Sequence, residues 1–193
     1  MKKRLLPLLA LIMLVGQTAI AQKWYQYGFR LGTSFSISRT YSIEHHELSG
    51  LFVGEFGAYF RAGKHVYGEI GLGYAFYKCN FSNSHQGYSD ERVETRHLQI
   101  PIKAVGHVPI RKVSAFQPYL GIVYQPILKI TENNIGFDKE SLNTQQVFLT
   151  TGFDFKFGPI TLGANYQCSF RNYFRNIAGK KPQFIGISAG LQF

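Results

Sequence analysis

Eight ionisable side chains sit at alternate positions within otherwise apolar or glycine-rich stretches. Arg30, Arg61, Lys103, Lys156 and Arg171 occupy the same face of their segments as Glu55, Glu69 and Asp154, and His97 and Gln99 share that face with Lys103. Two chemistries could use such a set. One is a pathway that relays protons or ions between cations and carboxylates. The other is an ion-paired, hydrogen-bonded plug, because charges withdrawn from water require partners. Other constellations are weaker. Gly68, Gly71 and Gly73 follow no strand-to-helix transition, so they do not read as a nucleotide loop, and Gly179-Lys180 lacks the flanking residues of a phosphate-binding loop. His45 and His46 are adjacent beside Glu44 and Glu47, but neighbouring side chains diverge on extended backbone. His97 and His107 lie about 33 Å apart along a strand. No metal site, cofactor site or catalytic Ser/His/Asp set emerges, and the reading expects no enzyme.

Period-two alternation positions these residues. The last ten residues show it most clearly: Ile185, Ile187, Ala189, Leu191 and Phe193 fall on one face, and Phe184, Gly186, Ser188, Gly190 and Gln192 on the other. That pattern is a strand with one greasy and one small or polar face. Seven earlier segments repeat it, over 24–38, 50–62, 65–79, 92–108, 114–130, 142–157 and 160–171. Long connections (39–49, 80–91, 131–141 and 172–182) alternate with short turns at 62–64, 109–112 and 158–159. This is the asymmetry of an outer-membrane barrel, with long extracellular loops and short periplasmic turns. The expected fold is all-β: an eight-stranded antiparallel transmembrane β-barrel, an up-and-down meander with both termini periplasmic. The interior of so small a barrel is just wide enough for side chains to fill. The plug is therefore preferred over the pathway, with Arg30, Glu55, Glu69, His97, Gln99, Lys103, Asp154 and Lys156 facing inward. Glycines on the same face relieve crowding.

Composition agrees with strands. The chain carries 17 Phe, 12 Tyr and 20 Gly, a balance that suits alternating strands better than amphipathic helices. Lys2, Lys3 and Arg4 precede an apolar run from Leu5 to Val15 and an Ala19-Ile20-Ala21 cleavage pattern. Residues 1–21 read as a secretory signal peptide, leaving 22–193 as one barrel domain. Those three cations belong to the formal net charge of +10. The remaining basic residues are dispersed rather than gathered into a nucleic-acid-binding stripe, and they suit anionic lipid headgroups. Cys79 and Cys168 fall on opposite faces of the third and seventh strands, hence on opposite walls. They are expected to stay free, since a disulfide needs Cα atoms within about 7 Å.

Several stretches carry a family resemblance. They are Tyr27-Gly28-Phe29-Arg30-Leu31-Gly32, Gly68-Glu69-Ile70-Gly71-Leu72-Gly73-Tyr74, His97-Leu98-Gln99-Ile100-Pro101-Ile102-Lys103-Ala104, Pro118-Tyr119-Leu120-Gly121 and the closing Gly190-Leu191-Gln192-Phe193. Together they resemble the PorT-like outer-membrane β-barrel family, with Gln99 where members commonly carry Glu. The resemblance implies a small OmpA/OmpX-like barrel in the cell outer membrane, one branch of the family being associated with type IX secretion. It also implies that Phe193 is presented to the barrel assembly machinery as an assembly signal. The expected partners are outer-membrane lipid, that machinery and an envelope or secretion-complex protein; no nucleic acid is expected, and the barrel is expected to be a monomer. The expected role is structural, adhesive or interactive, with a small-solute transport barrel as the alternative.

Overall fold

Alternating apolar and polar residues cannot form a stable helix face, but they give each strand two chemically distinct sides. The computed structural model describes residues 24–37, 42–43, 46–83, 91–133, 142–173 and 181–193. The expected leader over 1–21 lies outside them. The described residues form β1 (Tyr25–Ser36), β2 (Ser42–Ile43), β3 (His46–Gly63), β4 (Val66–Asn83), β5 (Glu91–Gly106), β6 (Val108–Arg111), β7 (Ser114–Asn133), β8 (Gln145–Phe157), β9 (Ile160–Ser169) and β10 (Gln183–Gln192).

Eight of these are long strands, each antiparallel to the next, and β1 pairs with both β3 and β10. The sheet therefore closes into an eight-stranded antiparallel meander barrel, the expected fold. Closure leaves no open edge among the eight. The seam runs from Gly28 opposite Gln192 to Ser36 opposite Phe184. Its last rung is made by the chain terminus, where Phe193 N donates to Tyr27 O at 2.8 Å and Tyr27 N to Phe193 O at 3.1 Å.

The short connections gather at one end of the barrel with Trp24 and Phe193. Gly158 there adopts φ 58°, the left-handed conformation that glycine enters without steric cost. Two details differ from the expected boundaries. The turn placed at 109–112 falls later, at Lys112-Val113, because β6 continues the ladder and pairs with the start of β7. The strand expected from residue 142 begins at Gln145. At the long-loop end β3, β4 and β7 run further than hydropathy suggests, and β2 extends the β1–β3 hairpin through Ser42 opposite Glu47.

The greasy face points outward. Phe29, Leu31, Phe56, Ile70, Leu72, Ile102, Leu120, Leu162, Ile185 and Ile187 are all large and exposed, Leu72 at 61%. The core lies inside the barrel. Cys79 is buried there and Cys168 half-exposed on the wall, both as free thiols.

Candidate functional site

The lumen is where the inward side chains converge, and hydrogen-bond register decides which of them meet. Gln26 stands opposite Arg61, Arg61 opposite Glu69, and Glu69 opposite Lys103, so one row of side chains crosses β1, β3, β4 and β5. On the far wall Gln117 stands opposite Asp154. Arg61 joins the two walls. It is fully buried, and its Nε donates to Glu69 Oε2 at 2.6 Å. Its terminal nitrogens donate to Gln117 Oε1 at 2.8 Å, Gln192 Oε1 at 3.2 Å and Asp154 Oδ2 at 3.1 Å.

Arg30 repeats the bridge one layer away, donating to Glu69 Oε1 at 3.3 Å and Asp154 Oδ2 at 2.7 Å. Lys103 Nζ adds a third cation 3.3 Å from Glu69 Oε1. Tyr59 lies under both guanidiniums, at 4.7 Å from Arg61 and 4.9 Å from Arg30, and Tyr119 lies 4.5 Å from the Lys103 ammonium. Cations desolvated against ring faces gain further attraction. The row continues through Gln192, which donates to Gln26, and Gln26, which donates to the Tyr67 hydroxyl at 3.2 Å.

Small residues opposite large ones make this packing possible. A Cβ on Gly28 would approach Tyr59 Cζ to 2.6 Å, and one on Gly152 would approach the Tyr119 hydroxyl to 2.7 Å. These glycines hold space for the neighbouring strand's ring.

The expected inward residues divide among distinct environments. Arg30, Glu69, Lys103 and Asp154 share the Arg61 network. Glu55 and Gln99 form a pair beside it, Gln99 Nε2 donating to Glu55 Oε2 at 2.6 Å. A cavity of about 40 Å³ adjoins them, lined in part by Arg30, Tyr59, Lys103 and Asn165. Lys156 lies at the short-turn mouth. In the connection after β5, burial, followed by the Lys156 and Arg61 cations and His65, lowers the pKa of His107. His107 Nδ1 is 3.2 Å from Gln117 Nε2. Arg171 corrects the sequence reading: β9 ends at Ser169 and the Arg171 side chain is exposed rather than inward. Past the strand end, alternation no longer dictates facing.

His97 belongs to a second, mostly apolar layer at the long-loop end. Leu51, Val53, Tyr77, Cys79, Val93, Val123, Phe148 and Phe184 are buried there. The Tyr77 ring lies 4.3 Å from His97 and 5.9 Å from Phe184. The sequence reading missed what caps this layer. Tyr173, expected in a long loop, is buried with its hydroxyl 2.6 Å from Thr95 Oγ1, which is itself 2.9 Å from His97 Nε2. Leu142 is buried beside it. A backbone and a side-chain hydrogen bond join the two segments: Asn143 N donates to Tyr173 O at 2.9 Å, and Asn143 Nδ2 to Asn172 O at 2.6 Å. The adjacent aromatics Tyr173 and Phe174 at the start of that connection were the available signal.

Among the described residues no group of three His, Cys, Asp or Glu could hold a metal ion. Among the described residues the interior is packed in two layers, one ion-paired and one mostly apolar.

No family model and no curated protein matches the chain. Among solved structures it is similar to the N-terminal β-barrel domain of Pseudomonas aeruginosa OprF, at 13% identity and TM-score 0.41, covering 87% of this chain and 97% of that one. It is also similar to the Yersinia pestis outer membrane protein Ail in a phospholipid nanodisc, at 15% identity and TM-score 0.42, covering 86% and 99%.

Proposed function

We propose that this chain is an integral outer-membrane barrel that works through its surfaces, in a structural, adhesive or interaction role, rather than by conducting solutes through its lumen. The observation that carries this reading is the Arg61 network. Two arginines, Arg61 fully buried and Arg30 partly so, with a lysine and two carboxylates tie opposite walls together, and the Tyr173 layer lies above them. A pore would need both layers to part.

The membrane half of the reading rests on the outer wall. A soluble monomer rarely exposes a contiguous apolar patch beyond a few hundred Å², whereas a closed barrel with every strand paired suits a bilayer. In this reading the short turns, Phe193 and the N-terminal end of β1 face the periplasm, and the long connections face outward. The barrel is a monomer that meets outer-membrane lipid and the barrel assembly machinery, the latter through Phe193. The PorT-like motifs add a finer proposal, that the partner is an envelope or secretion-complex protein.

Planar-bilayer recording with the purified chain tests the closed lumen. No steady conducting steps are expected. Regular open channels would favour the small-solute transport barrel instead.

A further inference from the structure

We propose that Arg96 and Lys129, side by side on the outer wall, bind a phosphate group on the headgroup of a membrane lipid at the long-loop end. The inference rests on the membrane reading above and adds a site to it.

Register brings the two cations together. Arg96 on β5 stands opposite Phe76 on one side and Lys129 on the other. Directly opposite residues of an antiparallel pair point to the same face with Cβ atoms about 4.5–5.5 Å apart, and like charges so placed repel. Both side chains are exposed. Among the described residues neither has an ion-pair partner; the nearby pair is Lys78 Nζ with Glu94 Oε1, at 2.9 Å. The ladder is also irregular here. It passes from Lys129 to Ile127, leaving Leu128 unpaired and 51% exposed. Such bulges re-aim side chains and tend to mark functional edges.

The pair stands at a chemical boundary. One step toward the short-turn end the wall is apolar, with Leu98 opposite Tyr74 and Ile100 opposite Tyr124. One step toward the long-loop end lies a charged row in which Glu94 stands between Lys78 and Glu132, with Arg92 beyond it opposite Asn80. Cations outnumber carboxylates on this patch, and Lys78 already occupies Glu94. Arginine offers a planar fork that matches phosphate, and lysine offers a second, rotatable donor. An anion between them would replace repulsion by two charge-assisted hydrogen bonds. Its depth, just above an exposed Leu128 and an apolar wall, selects a phosphate carried by acyl chains over one free in water.

The test uses the full chain in nanodiscs of a phosphate-free betaine lipid, diacylglyceryl trimethylhomoserine, doped with lipid A, compared with dephosphorylated lipid A. Native mass spectrometry reads the lipid retained on the protein after detergent release. Wild type should retain the phosphorylated lipid about tenfold or more over the dephosphorylated one. Arg96→Gln/Lys129→Gln should lose that preference, and Lys64→Gln, at the opposite end, should keep it. Inorganic phosphate at matched concentration should not displace the lipid. Equal retention of both lipids by inserted wild type, or an unchanged preference in the double variant, would overturn the site while leaving the barrel in its membrane. Displacement by inorganic phosphate would also overturn it, in favour of a free-anion site. Failure of wild type to enter any nanodisc would remove the membrane reading and this inference together. The wild-type lipid comparison stands even if the double variant does not fold.

Discussion

Replacing Arg61 with methionine removes the hub of the lumen while keeping an unbranched stem that fills the space up to about the Nε position. Two of its bonds go to carboxylates, at 2.6 and 3.1 Å, and two to the amide oxygens of Gln117 and Gln192, at 2.8 and 3.2 Å. Removing one partner of a fully buried ion pair costs about 3–5 kcal/mol, because the other charge is left uncompensated. Arg30 and Lys103 still face Glu69, and Arg30 still faces Asp154, which favours the lower half of that range. Glu69→Gln is the complementary perturbation. Glu69 meets all three cations, so its loss leaves them repelling one another, and the cost should fall toward the upper half of about 3–5 kcal/mol. In the double variant one missing cation offsets one missing carboxylate. The combined loss should be about 1–3 kcal/mol smaller than the sum of the single losses, the usual coupling for residues in one network. Urea unfolding from phosphatidylcholine vesicles measures all four proteins. The lone Trp24, 64% exposed at the short-turn rim, reports departure from lipid, and gel mobility of unheated samples reports folding. Additivity within about 0.5 kcal/mol, or an Arg61→Met variant as stable as wild type, would refute the idea that this network holds the lumen together.

Leu72→Lys, on the exposed wall near mid-height, should destabilise the membrane-inserted barrel by about 2–4 kcal/mol; the same vesicle titration would detect it. Tyr173→Ala should remove the cap's hydrogen bond to Thr95 and its ring packing at a cost of about 3–5 kcal/mol, and protease sensitivity at the long-loop end should rise. Deleting Phe193 should leave unassembled protein in the periplasm while the purified variant still folds in detergent, as envelope fractionation and gel mobility would report. Cys79 and Cys168 should yield no linked peptide on unreduced mass spectrometry, and only Cys168 should alkylate before unfolding, since Cys79 lies within the apolar layer.

Facing is local, and the sequence carried it. A strand's side chains alternate with a period of two whatever the neighbours do. Ile185 to Phe193 on one side and Phe184 to Gln192 on the other could therefore be assigned without knowing what either side met. The same holds for Leu72 against Glu69, and for Leu98 against His97. The alternation of long connections and short turns identified eight long strands and their meander order. Strand ends were less legible, because pairing continues into polar residues once a partner is present, as with Ser42 and Glu47.

Which inward residues touch was beyond the sequence. Arg30 and Asp154 are 124 positions apart and bond at 2.7 Å only because closure of β1 on β10 sets the stagger of every ladder between them. One residue of slip would turn every side chain of a strand to the other face, so register is a property of the whole ring. The split of the lumen into a charged layer and a mostly apolar one arises in the same way. Tyr173, Leu142 and Arg171 lie where alternation has stopped, and their positions depend on tertiary contacts alone. Tyr173 turns inward because Thr95 and the rings of Tyr77 and His97 offer it a partner and a surface, whereas Arg171, two residues earlier, remains in solvent.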